Sequence, residues 1–185
     1  MTVVFNILLH TPWWAFVLFA LLLGFGLQAL KPRTIPISRL LIVPAVFIGW
    51  GAASLAPRLT QSSPLLVADW LFAALAGAAL LWLTGRPDRF GFERAGFVSI
   101  AGSALPLARN MAIFFARYAL VAAATINPAQ RPSLAVWDLA VSGASTGYFV
   151  AWLALLAVAY QRATRDARFA PQDRASNDPV ELGDA

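Results

Sequence analysis

Five polar side chains set inside long apolar runs are the residues of this chain with chemistry to offer. Arg109, Asn110 and Arg117 share one run, Asp69 lies in a second and Asp138 in a third. An arginine at the centre of a membrane helix costs roughly 2.5–3.5 kcal/mol on insertion scales. Such a group therefore needs a partner, a water-filled surrounding or a route to the surface. Arg109 is near one end of its run and can snorkel along its aliphatic stem. Arg117 is further from either end. Asn110 and Arg117 are seven residues apart, about 20° short of two full turns, so they share a helix face that should point into a bundle. Two acids can answer Arg117: Asp69 a little over one turn into its run and Asp138 about one turn into its own. Arg117 lies about 13 Å from the far end of its helix, so a pair with Asp69, Asp138 or both is within reach. Unless these groups make no contact at all, such a cluster does one of two jobs. It fixes helix register as a buried ion pair, or it binds an ion or ligand in a small transporter.

Other chemistries are excluded by residue type. The chain has no cysteine and one histidine, His10. Disulfides, thiolate nucleophiles, iron–sulfur clusters, a bis-histidine haem and histidine-based metal clusters are all ruled out within one copy. No metal or other cofactor is expected. There is no G-x-S-x-G, H-E-x-x-H, P-loop or dinucleotide fingerprint. Ser142 and Ser145 have no histidine nearby and read as helix-to-helix hydrogen-bonding groups. The chain is therefore expected not to be an enzyme. The pI near 10.7 would suggest nucleic acid in a soluble protein. Here the basic residues cluster in loops between apolar runs, where they meet lipid phosphate, and no nucleic-acid pattern is present.

The elements that must carry these side chains are five apolar runs, 13–30, 38–56, 65–84, 105–126 and 134–160. Each is near or above the roughly 20 residues needed to cross about 30 Å of hydrocarbon. Of the 185 residues 59% are hydrophobic and 12% charged, the latter about half the soluble average of roughly 25%. The fold class is accordingly all-α integral membrane, a five-transmembrane-helix bundle over residues 1–160, with a disordered cytoplasmic tail at 161–185. That tail is polar, with Pro171 and Pro179 and few large apolar groups, too little to offset its ordering entropy.

Orientation follows from counting cations. Lys31, Arg33, Arg39, Arg86, Arg89, Arg94, Arg162, Arg165, Arg168 and Arg174 fall on one side of a five-span chain, and only Arg58 and Arg131 on the other. The positive-inside bias puts the first group in the cytoplasm and the N-terminus outside. Residues 1–11 lack Lys and Arg, while cations follow the first run directly, which is the reverse of a cleaved signal. Thr11-Pro12-Trp13-Trp14 forms a helix start, and residues 2–10 read as an interfacial helix or an extension of the first span. Pro44 is expected to kink the second helix. In the loop 85–103, between the third and fourth helices, Phe90 and Phe92 flank Gly91 and Phe97-Val98-Ser99-Ile100 follows a glycine. It reads either as a short cytoplasmic β-hairpin or as an irregular amphipathic loop.

Gly143 and Gly147 form a small-xxx-small pattern that permits close helix contact, within one chain or in a homo-oligomer. Most of the seven tryptophans sit near span ends and read as an aromatic belt. Beyond the lipid bilayer no partner is specified. A further set of residues carries a likeness: His10-Thr-Pro-Trp-Trp, Gln28 with Lys31-Pro-Arg33, Arg39 with Pro44, Ala101-Gly-Ser-Ala-Leu-Pro-Leu and Ile113-Phe-Phe-Ala-Arg-Tyr118. Over residues 8–160 these resemble an uncharacterised proteobacterial family of small multi-pass membrane proteins, a domain of unknown function. The family usually carries a basic residue at the Arg117 position, whereas Arg109 and Asn110 are less typical of it. The resemblance implies a bacterial inner-membrane protein and supplies no activity. The expectation is a non-catalytic accessory or structural helix bundle, with a small transporter or ion pathway through Arg117, Asp69, Asp138 and Asn110 as the second reading.

Overall fold

A computed structural model describes residues 13–60, 64–84, 90–94 and 96–169. The expected elements at residues 2–10, the cap at Thr11-Pro12 and the tail beyond 169 lie outside the described residues. Five long helices carry the fold: α1 Trp13–Gln28, α3 Ile42–Thr60, α4 Pro64–Thr84, α5 Leu105–Ile126 and α6 Arg131–Phe169. A single-turn helix α2, Ile37–Leu40, leads into α3, and a 3₁₀ turn, Pro128–Gln130, leads into α6. Among the described residues four helical segments are long and apolar enough to cross a membrane: Ile37–Pro57, Pro64–Thr84, Leu105–Ile126 and Pro128–Asp166. Trp13–Gln28 is apolar but shorter, at 16 residues.

The helices leave large apolar side chains outside, as a bundle in hydrocarbon does. On α4, Asp69, Phe72, Ala76, Leu80 and Leu83 recur at three- and four-residue spacing and all are exposed, Phe72 by 77% and Leu83 by 84%. No water-soluble domain of this size would keep so much oil on its surface. The interior is correspondingly small. Its central cluster takes Leu22 from α1, Phe47 from α3, Leu81 from α4, Phe114 from α5 and Tyr148 and Phe149 from α6, with the Phe47 and Phe149 rings stacked at 5.0 Å.

α6 is the axis of the bundle, and its most extensive partner is α4. Glycines let the two backbones touch. A Cβ added at Gly143 would meet the Trp70 carbonyl oxygen, one at Gly147 the Ala74 oxygen, and one at Gly77 the Ala144 oxygen. The small-xxx-small pair is thus used inside the chain, against α4, rather than left on an outward face.

Three strands close one end of the bundle: β1 Arg33–Pro36, β2 Phe90–Arg94 and β3 Phe97–Ile100, in the order β1-β3-β2, all antiparallel. The hairpin reading of the loop between α4 and α5 therefore holds, with a bulge between Phe92 and Arg94 and Gly96 at φ 87° in the turn. The third strand was not expected. Ile35 pairs with Val98, and Phe92 pairs with Val98 on its other side. Ile35 and Val98 are buried, and the Phe92 ring lies 5.6 Å from that of Tyr160 near the end of α6.

Two boundaries differ from expectation. The helix is interrupted at Leu41, three residues ahead of Pro44. Pro44 then occupies the first turn of α3, where a missing N–H costs no helical hydrogen bond. At the other end α6 runs to Phe169, nine residues past Tyr160, because Gln161-Arg-Ala-Thr-Arg-Asp-Ala-Arg is rich in strong helix formers.

Candidate functional site

Arg117 is 2% exposed, in the stripe of α5 that also buries Asn110 and Phe114. Its Nε donates to Asp138 Oδ1 at 3.3 Å and its Nη2 faces Asp138 Oδ2 at 3.5 Å. This is the one ion pair among the described residues, and the Asp138 side chain remains 27% exposed. Nη2 also donates to Ser54 Oγ, and Ser54 in turn donates to the Trp50 carbonyl at 3.0 Å. The guanidinium lies over the Trp50 ring, 4.1 Å from its centroid. One cation from α5 thereby ties α3, through Trp50 and Ser54, to α6, through Asp138. Of its five N–H donors, those on Nη1 have no partner among the described residues.

Of the two acids that could answer Arg117, the structure selects Asp138. Asp69 is exposed and has no ion-pair partner among the described residues. The stripe of α4 that packs on α6 runs through Trp70, Ala74, Gly77 and Leu81. Its centre lies about a quarter turn from Asp69. The tryptophan takes the inward place instead, donating Nε1–H to Ser142 Oγ at 3.4 Å, and Ser142 reaches the Gly51 carbonyl at 3.3 Å. Ser145 and Thr146 return their hydroxyls to the Ser142 carbonyl at 3.0 and 2.9 Å. These buried hydroxyls are hydrogen-bonded to backbone, with no base beside them, so none is poised as a nucleophile.

Asn110 belongs to a second polar centre, two turns away along α5. Its Oδ1 accepts from Arg109 Nε at 3.2 Å. Arg109 Nη1 donates to Tyr148 Oη at 3.3 Å, and the guanidinium stacks 5.0 Å from the Tyr148 ring centroid and 4.7 Å from that of Phe149. Tyr148 Oη is also hydrogen-bonded to Thr84 Oγ1 at 3.1 Å, at the last residue of α4. Arg109 thus turns inward onto aromatic faces rather than snorkelling outward.

Comparison with family models, with curated proteins and with solved structures gives no match to this chain. Among the described residues no group of three His, Cys, Asp or Glu side chains could hold a metal ion.

Sequence reading missed Trp50, Ser54 and Tyr148. Trp50 is not one of the belt tryptophans and floors the Arg117 site. A signal was present: Trp50 and Ser54 are four residues apart, hence on one helix face, in a run otherwise poor in polar groups.

Proposed function

We infer that this chain is a non-catalytic accessory or structural component of a bacterial inner membrane, a five-span bundle with its N-terminus outside and its C-terminus in the cytoplasm. The observation that carries the reading is the closure of the Arg117 centre. Its cation is almost fully buried, paired to Asp138, bonded to Ser54 and capped by Trp50, so three helices hold it as a register lock. The fifth span is supported by α1, which adds Leu22 to the core and approaches α5 where Gly26 meets Leu107. Its 16 described residues cover about 24 Å of the roughly 30 Å hydrocarbon. Orientation rests on the ten-to-two distribution of loop cations, and the bacterial inner-membrane setting on the resemblance of residues 8–160 to small multi-pass proteins.

A second reading, an ion pathway, is favoured by one feature, the Nη1 of Arg117, which has no partner among the described residues and could donate to an anion or water. Paired variants separate the two. Removing one member of a buried pair costs about 3–5 kcal/mol, whereas replacing both by apolar groups is often neutral. Arg117→Met should therefore unfold readily in detergent, and Arg117→Met with Asp138→Leu should recover stability and cellular function. A stable double variant that has lost function, together with anion flux in wild-type proteoliposomes, would instead establish the pathway.

A further inference from the structure

We propose that the cavity at the sheet end of the bundle is a binding site for an anionic, phosphate-bearing membrane lipid, its headgroup held by Arg33, Arg39 and Arg109. The cavity encloses about 540 Å³, within the roughly 300–1,000 Å³ of small-molecule sites. It is separate from the Arg117 centre, and the inference depends only on the chain lying in a bilayer.

Among the described residues three guanidiniums line this space and no carboxylate does. Among the described residues none of the three has an ion-pair partner. Arg33 is held on one side by Gln28, whose Oε1 accepts from Nη1 at 2.9 Å. Its pKa lies below the ordinary arginine value, first through burial and then through the positive charge of Arg39. Two cations close enough to repel each other, with no acid between them among the described residues, make a well of positive potential that an anion would relieve. Arg109 reaches the same space from α5. Its Nε and Nη1 bond to Asn110 and Tyr148. Stacking on Tyr148 and Phe149 fixes its planar fork, and a fixed fork suits bidentate capture of phosphate.

The other walls say what is attached to that phosphate. Phe25, Val43, Leu83, Leu105 and Trp152 give the cavity an apolar lining. Leu83 and Leu105 are themselves exposed on the outer surface of the bundle, so the lining is continuous with the face that meets acyl chains. A free phosphate keeps its water and gains nothing from such walls. A lipid places its headgroup among the arginines and its first methylenes against the hydrocarbon. The strands position the charges, since β1 carries Arg33 and continues into the turn of α2 that carries Arg39.

The test is native mass spectrometry of the full chain released from detergent with equimolar phosphatidylglycerol and phosphatidylcholine. Phosphatidylglycerol adducts should predominate about tenfold, the size of one charge-assisted hydrogen bond. The preference should vanish in Arg33→Gln with Arg39→Gln, and should persist in Arg162→Gln with Arg165→Gln, whose arginines are at the same end but do not line the cavity. Equal retention of the two lipids, or equal loss in both double variants, would overturn the site, the latter by showing diffuse surface attraction. Displacement of phosphatidylglycerol by inorganic phosphate at equal concentration would overturn the lipid in favour of a free anion. If the cavity variant fails to fold, the two wild-type competitions decide alone.

Discussion

At the scale of single residues, the energetics of this chain turn on how two guanidiniums are kept from bare hydrocarbon. Arg117 is answered by a charge and Arg109 by aromatic faces and a phenol, and the two solutions should respond differently to substitution. Tyr148→Phe keeps the ring beneath Arg109 and removes only the hydroxyl that bonds Arg109 and Thr84. Hydrogen bonds inside membrane proteins average about 0.6 kcal/mol, so this loss should be small. Tyr148→Leu also removes the cation–π contact and a core ring, and should cost about 2–4 kcal/mol more. Thermal unfolding in detergent distinguishes them, and equal costs would show that the ring contributes nothing. Arg117 and Asp138 were legible from residue type alone, because an isolated charge in an apolar run demands an answer. That Asp138 and not Asp69 supplies it was beyond reach of spacing. The choice depends on a quarter-turn rotation of α4, set by its glycine contacts with α6.

At the scale of elements, the α4–α6 seam is the contact with least tolerance. Gly147 faces the Ala74 carbonyl and Gly143 that of Trp70, so any side chain must push backbone apart. Gly147→Val should destabilise by about 1–3 kcal/mol or more through overpacking. Gly49→Ala, on an exposed face with nothing within 4 Å of the new carbon, should be neutral or gain up to about 1 kcal/mol. If both variants melt alike, the seam is not a tight contact. The glycine spacing was visible in the sequence, but whether it faced a partner helix or a second copy was not, since both demand small residues. The hairpin was legible for a local reason, two short runs of alternating aromatics around a glycine. β1 was not. Arg33-Thr-Ile-Pro is bracketed by Pro32 and Pro36 and has no strand signature of its own. It becomes a strand only by pairing with β3, more than sixty residues away.

At the scale of the whole molecule, that same pairing constrains topology more firmly than hydropathy does. β1 and β3 share a sheet, so residues 33–36 and 97–100 lie at one end, and α3 with α4 must make an even number of crossings between them. The Phe92–Tyr160 contact brings the end of α6 to that same end, so α5 with α6 also crosses an even number of times. What the sheet cannot specify is whether α1 crosses, which is the difference between four spans and five. The absence of cysteine from the chain makes this directly measurable. Single substitutions His10→Cys, Ser62→Cys, Ala129→Cys and Ala167→Cys each place one thiol against no background. In intact cells a membrane-impermeant maleimide should label the first three, and Ala167→Cys only after permeabilisation. His10→Cys behaving like Ala167→Cys would reduce the bundle to four spans with both termini inside. Ser62→Cys and Ala129→Cys protected while Ala167→Cys labels would invert the whole bundle and put the arginine-lined cavity in the outer leaflet.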